Sequence, residues 1–126
     1  SLVDYTNWSI EDEIAAVMTL KHLIAGHYLM VAEHNGVLVG MIGAMVEQDP
    51  WIRSRKRMRE LFWWVDLAFR RGRLSAELFI KWQTDSERFI RDKLVDQVSL
   101  STQPGSSDIQ LSKRGWRCVE THWIKE

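Results

Sequence analysis

A run of apolar and aromatic residues in the middle of the chain leads directly into a basic turn and a helix. The stretch LFWWVDLAFRRGRLSAELF covers residues 61–79. A helix that begins straight after a strand leaves its first backbone N–H groups without acceptors and exposes the positive end of its dipole. Arg70, Arg71 and Arg73 add positive charge around Gly72. These features predict a site for a phosphate or pyrophosphate group.

Other residue types that perform chemistry do not form a recognisable motif. The sequence contains no GxxxxGK phosphate loop, no nucleophile elbow and no aspartate-rich metal motif. The single cysteine, Cys118, excludes an internal disulfide and a cysteine-based zinc site. Its strand-like surroundings favour a buried or half-buried structural residue over a nucleophile. The histidines lack metal-ligand spacing, so we predict no metal site; they are His22, His27, His34 and His122.

Periodicity and turn residues predict the elements that position the basic turn. Ser9 and Asp12 have the spacing of a capping box, which marks a helix start. Asn35-Gly36 is a strong signal for a tight hairpin turn. In chain order we predict a helix from Ser9 to Gly26, a hairpin of strands 28–33 and 37–46, a polar loop over 47–60, a strand that begins near Glu60, and a helix from Gly72 to about Leu94.

The C-terminal third is predicted to contain two short strands around a short helix. The segment DQVSLSTQ alternates as a strand does, and Pro104-Gly105 turns the chain. SSDIQLSKRG is predicted to be a short helix, capped by Ser107 with Gln110 and ended by Gly115. WRCVETHWIKE is predicted to be a final strand.

Composition indicates one ordinary globular domain over residues 1–126. The chain has 17 basic and 17 acidic side chains and 45% apolar residues, so no overall charge favours nucleic acid or membrane. No apolar run approaches the ~18 residues that a spanning helix needs. We therefore expect a cytoplasmic location. Because the first residue is Ser1, we also expect that the start of the domain has been trimmed.

Three stretches resemble the GNAT superfamily of acyl-CoA-dependent N-acetyltransferases. YLMVAEHNGVLVGMIG resembles the second and third strands of that family, and VDLAFRRGRLSAELF lies in register with its acetyl-CoA signature. LSKRGWRCVETHWIKE is similar to its C-terminal end. The resemblance covers roughly residues 28–126 and implies an α/β fold, with a mixed, mostly antiparallel central sheet and helices on both faces. The first strand and first helix of the family have no convincing counterpart here.

The resemblance also implies a function and a set of site residues. It implies acetyl transfer from acetyl-CoA, as co-substrate, to a primary amine of a small molecule or protein. Glu60 lies within about one residue of the family's general base and would act through a water. Val65 and its neighbours would pair with pantetheine, and Arg70 matches the leading arginine of the signature. The backbone amides that would hold pyrophosphate belong to Arg71, Gly72, Arg73, Leu74 and Ser75.

Two departures from the family pattern leave the function open. Arg73 and Ser75 stand where the signature has glycine or another small residue. Leu111 stands where the family often has a tyrosine general acid, so Ser112, Ser101 or solvent would have to protonate the leaving thiolate. The alternative is a non-catalytic GNAT-like binding or virion-associated protein. A virion-associated protein also fits the WWV residues before an arginine-containing turn, since some phage-encoded members of the superfamily resemble this stretch.

Several residues have a structural interpretation beside the functional one. Glu60 is equally well interpreted as a solvated glutamate paired to Arg57 or Arg59. Trp63 and Trp64 could line a ligand slot, but tryptophans on a central strand more often fill core. The basic loop over residues 53–59 is interpreted as a solvated turn rather than a nucleic-acid site, and His122 as structural. An exposed tryptophan near the C-terminus is compatible with a homodimer.

Overall fold

Two helices and four strands form the part of the chain that the computed structural model describes, which is residues 9–102, 111–119, 123, 125 and 126. Short 3₁₀ turns precede the second helix and follow the last strand. In chain order the elements are α1 (Ile10–Gly26), β1 (Tyr28–His34), β2 (Val37–Gln48), β3 (Lys56–Val65), a 3₁₀ turn (Leu67–Phe69), α2 (Leu74–Arg91), β4 (Gln97–Ser99) and a second 3₁₀ turn (Leu111–Arg114).

The strands form one sheet in the order β1-β2-β3-β4. β1 pairs with β2 and β2 with β3 in antiparallel fashion, whereas β3 and β4 are parallel. Asn35 and Gly36 form the hairpin turn with positive φ angles of 51° and 77°, the left-handed region that this dipeptide tolerates. The predicted mixed, mostly antiparallel sheet and its hairpin are confirmed.

The two helices cover opposite faces of the sheet. A Cβ added to Gly40 of β2 would meet the Leu78 and Leu74 side chains of α2, at 2.9 and 3.5 Å. A Cβ added to Gly43, three residues further along the same strand, would meet Leu23 of α1 at 2.9 Å. Because strand residues alternate between faces, these contacts place α2 and α1 on opposite sides. Both glycines allow a close approach of helix and sheet.

The main core lies between the sheet and α2. Trp82, Phe79 and Leu78 supply the helix side of this core, and all three are buried. The strands contribute side chains from the face toward α2; these are Tyr28, Ile42, Ala44, Met58 and Val65. Along α1, by contrast, Leu23 is the only buried residue. The α2 face therefore supplies most of the buried apolar area that stabilises the fold.

β2 and β3 are longer than predicted, and the polar loop between them is shorter. β2 continues to Gln48 and β3 begins at Lys56. Glu47 explains the extension, because Arg57 and Arg59 donate to its carboxylate at 2.9 and 2.8 Å across the two strands. Opposite charges at facing positions stabilise a strand pair. The second half of the predicted basic loop is therefore strand.

The end of the chain differs from the predicted strand. Residues 116–119, 123, 125 and 126 have no strand pairing. Trp116 instead packs 6.5 Å from the Phe79 ring, centroid to centroid, and donates from Nε1 to Gln83 Oε1 at 3.4 Å. Cys118 is exposed, so its predicted burial is wrong. Gly115 ends the short helix as predicted, whereas Ser107, Gln110 and His122 lie outside the described residues.

The histidines of α1 and its C-terminus form a pair rather than a metal site. His22 and His27 approach each other with their Nε2 atoms 3.1 Å apart, and His27 Nδ1 accepts the Val46 N–H at 2.9 Å. Within the described ranges, no three or more potential ligand side chains form a group that could hold a metal ion. Neither described helix has the length and apolar composition needed to cross a bilayer.

Candidate functional site

β3 continues for six residues beyond its pairing with β4. The parallel pairing joins Arg57 to Gln97 and ends at Arg59 and Ser99. From Glu60 to Val65, β3 pairs with β2 alone among the described strands. Backbone N–H and C=O groups on the open edge of a strand can pair with an extended ligand. Among the described strands, this half of β3 therefore has an unpaired edge, which is a candidate place for a chain-like ligand.

A β-bulge determines which side chains of β3 share a face. Gly43 faces Phe62 and Ala44 faces Glu60, so Leu61 is the extra residue. Simple alternation would place Glu60 and Trp63 on opposite faces, but the bulge shifts the register by one residue. Both residues consequently lie on the α2 face of the sheet. The sequence contains no signal for this bulge, so alternation alone could not predict that Glu60 and Trp63 share a face.

Glu60 is buried, with 6% of its surface exposed. Burial raises the pKa of its carboxyl above the ordinary value, because the charged form is poorly solvated there. Arg57 and Arg59 both bond Glu47. Glu60 is therefore not the solvated, strand-start residue of the structural interpretation. A buried carboxyl with a raised pKa is suited to accept a proton near neutral pH.

Trp63 adds an unsatisfied donor on the same face as Glu60. Its ring stacks on Phe79 of α2 with centroids 6.0 Å apart and an interplanar angle of 18°. Its Nε1 atom is buried and has no hydrogen-bond partner in the described structure. Trp64 faces Met41 on the opposite side of the sheet. Buried polar groups normally have partners, so the Trp63 indole N–H is a candidate donor to a ligand, although its ring packs against the main core.

The basic turn folds back onto the end of β3. Asp66 N–H donates to the Val39 carbonyl at 2.8 Å, and Asp66 Oδ1 accepts the Ala68 N–H at 3.0 Å. Arg70 Nε donates to the Val65 carbonyl at 2.9 Å. Val65 is fully buried. One N–H group of the predicted phosphate-binding arginine is thus already engaged by the strand that leads into the turn.

The start of α2 presents backbone donors without a side-chain cap. The first intrahelical bond runs from Glu77 N–H to the Arg73 carbonyl at 3.0 Å. The N–H groups of Leu74, Ser75 and Ala76 precede it and have no acceptor within the helix. Arg73, the N-cap residue, makes no side-chain capping bond. The N–H groups of Leu74 and Ser75 belong to the predicted phosphate-binding set, and free donors at a helix start suit an anion.

The side chains around this helix start point in different directions. Arg73 has φ −78° and ψ −11°, an ordinary helical conformation. Its side chain is 94% exposed and lies 3.9 Å from Glu77. Arg71 is exposed, whereas Ser75 is half-buried. Gly72 donates its N–H to the Phe69 carbonyl at 3.1 Å. The arginine at the signature's first glycine position is therefore unstrained and directed into solvent.

The two serines considered for protonating the leaving thiolate are exposed, and so differ from the leucine at the family's tyrosine position. Leu111 is half-buried and packs against the main core. Ser112 and Ser101 are both exposed. The structure thus brings together Glu60, Trp63 and the open half of β3, with the start of α2 beyond its C-terminal end.

Comparisons with known proteins identify the fold. No protein-family model and no curated protein sequence matches the chain. Among solved structures, glucosamine-6-phosphate N-acetyltransferase from Arabidopsis thaliana is similar, with a TM-score of 0.67, 17% identity, and coverage of 96% of this chain and 82% of that one. A predicted acetyltransferase from Clostridium acetobutylicum, solved with acetyl-CoA, has a TM-score of 0.64 and 11% identity over 98% of this chain and 78% of its own.

A third similar structure carries the family name. It is a GNAT family acetyltransferase from Staphylococcus aureus, with a TM-score of 0.60 and 16% identity over 90% of this chain and 76% of its own. Identities this low describe the fold and not the activity. The agreement in architecture confirms the fold that the three sequence stretches implied. The chain has the fold of the GNAT superfamily of acetyltransferases.

Proposed function

We propose that the protein transfers an acetyl group from acetyl-CoA to a primary amine. The observation that carries this proposal is the position of Glu60, a buried carboxyl on the open half of β3. The same strand runs on into the basic turn and the uncapped start of α2. The similar structures include an N-acetyltransferase of an amino sugar phosphate and a protein solved with acetyl-CoA. They support the proposal as likenesses of fold.

The residues present fit coenzyme A. The N–H groups of Leu74, Ser75 and Ala76, together with Arg71, supply donors and charge for a pyrophosphate. The open edge of β3 supplies backbone groups for the amides of pantetheine. The Val65 carbonyl accepts from Arg70, so we expect pantetheine to pair with residues that precede Val65 on this edge. When bound, acetyl-CoA supplies an acyl thioester that a neutral amine can attack.

Glu60 and Trp63 are the side chains proposed to assist the reaction. Glu60 accepts a proton from the acceptor amine through a water, and its raised pKa brings its basicity closer to that of the amine. The Trp63 Nε1–H, which lacks a partner, donates to the bound co-substrate. Ser112, Ser101 or solvent supplies the proton for the thiolate. Holding the two reactants together contributes up to ~7–11 kcal/mol in well-oriented systems.

A titration with acetyl-CoA tests the central claim. Because only the native state binds the ligand, saturation should raise the melting temperature, with a gain of about 2.7 kcal/mol at a hundredfold excess over Kd. Thiol release should then be followed over a panel of amines that includes glucosamine 6-phosphate and lysine peptides. If the titration shows no heat and no thermal shift at millimolar acetyl-CoA, the proposal is wrong. Acetyl phosphate, which lacks the nucleotide and pantetheine, is the control ligand.

The second candidate function is a non-catalytic binding protein. Leu111 favours it, because an apolar residue stands where a proton donor is expected. Coenzyme A binding without thiol release on any amine would support this candidate. We place either activity in the cytoplasm, or in a virion if the protein is phage-encoded. A salt-dependent shift on DNA or RNA would instead favour a nucleic-acid partner.

A further inference from the structure

Helix α1 carries a second apolar face that no described residue covers. Leu23, with Ala16 and Leu20 on the preceding turns, forms the side toward the sheet. A separate line of large apolar side chains, here called the outer stripe, is exposed along the flank of the helix. Its members and their exposed fractions are Ile10 (75%), Ile14 (56%), Val17 (50%), Met18 (66%) and Ile24 (70%).

The spacing of the outer stripe is that of a helix-pairing seam. Ile10, Ile14, Val17, Lys21 and Ile24 follow one another at steps of four, three, four and three residues. This is the a/d pattern by which one helix packs against another. Isolated exposed apolar residues are ordinary, but a contiguous stripe on one helix marks an interaction surface. Lys21 is the single polar member of the seam.

The charges on α1 determine the kind of helix that fits this seam. The first turn is acidic, with Glu11, Asp12 and Glu13, and the last turn has no basic residue. A second α1 in parallel orientation would place the two acidic turns together and Lys21 beside Lys21. An antiparallel second copy places Val17 at the centre, Ile10 near the other copy's Ile24, and Glu13 near its Lys21. The antiparallel pairing therefore brings apolar side chains together and places opposite charges beside each other.

We propose that α1 is the interface of a homodimer, in which two copies pack their outer stripes antiparallel about a two-fold axis at Val17. Each copy buries the apolar side chains that the monomer exposes, and each Lys21 lies beside an acidic first turn. The acidic first turn also disfavours an anionic lipid surface as the occupant. The candidate site on β3 is formed by other residues, so the inference does not depend on the proposed activity.

Sedimentation equilibrium tests the dimer directly. The unmodified protein should associate to a dimer between micromolar and millimolar concentration. Val17→Glu should raise the dimer dissociation constant by more than about tenfold, because it places a charge in the seam. Thr19→Glu, on an exposed part of α1 outside the stripe, is the matched control and should leave association unchanged. Circular dichroism of dilute samples should show both variants folded.

Orientation requires a second pair of variants. Lys21→Glu should weaken association, and adding Glu13→Lys should restore it, because the swap re-creates the opposite-charge pair only in the antiparallel dimer. In a Cys118→Ser background, Val17→Cys should form an intermolecular disulfide on oxidation, whereas Ala15→Cys should not. A protein that stays monomeric at every concentration overturns the proposal. So does a dimer insensitive to Val17→Glu, or one that the charge swap fails to restore.

Discussion

The Tyr28 hydroxyl donates a 2.7 Å hydrogen bond to Oδ2 of Asp85, which joins the first residue of β1 to the buried side of α2. Both residues are less than one-tenth exposed. Lys81 Nζ and Arg88 Nη2 approach Asp85 Oδ1 at 3.6 and 3.5 Å. Burial, followed by the bond to Asp85, raises the pKa of the Tyr28 hydroxyl far above its usual range. The hydroxyl therefore keeps its proton and fixes α2 to the sheet.

Tyr28→Phe should lower the free energy of unfolding by about 2 kcal/mol, because it leaves a buried carboxylate without this donor. Urea denaturation of the parent and the variant measures the change. In an Asp85→Leu background, where the acceptor is already gone, the same substitution should cost little. Equal losses in both backgrounds would mean that the Tyr28 hydroxyl acts through another contact, such as its 3.6 Å approach to Met30 Sδ, and not through Asp85.

The sequence correctly predicted the features that are formed by residues close together in the chain. Ser9 and Asp12 form the reciprocal capping box at 3.2 and 3.0 Å, and α1 ends at Gly26 as expected. The Asn35-Gly36 turn likewise requires only its own backbone conformation. The start of α2 after the basic turn was also predicted to within two residues. In each case the interacting groups lie within a few residues of one another.

Features that depend on pairing between distant segments could not be predicted. Glu47 extends β2 and β3 because it meets Arg57 and Arg59 across the turn. The bulge at Leu61 follows from the register of β3 on β2, and it brings Trp63 to the same face of the sheet as Glu60. Arg70 folds onto Val65 only after the intervening 3₁₀ turn reverses the chain. The sequence therefore identified candidate site residues. It could not show on which face of the sheet each one lies, or which residue it bonds.

Arg70→Ala should weaken acetyl-CoA binding by ~1.5–3 kcal/mol if the remaining guanidinium N–H groups contact phosphate. It should also lower the free energy of unfolding by about 1 kcal/mol, because the bond to the Val65 carbonyl is lost. Calorimetric titration and urea denaturation separate the two effects. Arg71→Ala is the matched variant, since its exposed side chain should affect affinity and leave stability within about 0.5 kcal/mol. If Arg70→Ala lowers stability but leaves acetyl-CoA affinity unchanged, Arg70 only stabilises the end of β3 and does not contact phosphate.

Arg73→Gly should leave acetyl-CoA affinity unchanged or improve it. The backbone at Arg73 is helical with φ −78°, so glycine relieves no strain, but it opens space beside the uncapped amides of α2. The ion pair that Arg73 forms with Glu77 is exposed and contributes little. Titration calorimetry measures the affinity, with Arg73→Ala as control. A loss of more than about tenfold in both variants would make Arg73 itself a phosphate ligand.

Trp63→Phe should keep the stack on Phe79 and remove the orphaned N–H, which weakens acetyl-CoA binding or turnover about tenfold. In ¹⁵N-labelled protein, the Trp63 indole resonance should shift when acetyl-CoA is added. Trp82 is the internal control, because its Nε1 is also buried without a partner but its ring packs against Tyr28 rather than on β3. A Trp63 resonance that stays fixed while the ligand binds would assign the indole to the core.

Glu60→Gln should preserve acetyl-CoA affinity while turnover falls by about 10²–10⁴-fold, because the amide keeps the shape of the side chain but cannot accept the proton. Turnover against pH, with a fixed amine, measures the deficit. It should be greatest near neutral pH, where the acceptor amine carries a proton that must be removed. At higher pH the amine is already neutral, so proximity alone carries more of the reaction and the deficit should shrink.

The stability of the Glu60→Gln variant provides the control for this prediction. Burial raises the pKa of Glu60 in the folded protein, so ionising the carboxyl costs stability as pH rises above its unfolded value. Glu60→Gln should therefore be at least as stable as the parent at neutral pH, and any gain should vanish in acid, where both side chains are neutral. The variant could instead be stable, bind acetyl-CoA and turn over as fast as the parent across the pH range. Glu60 would then be a structural residue, and solvent would accept the proton of the acceptor amine.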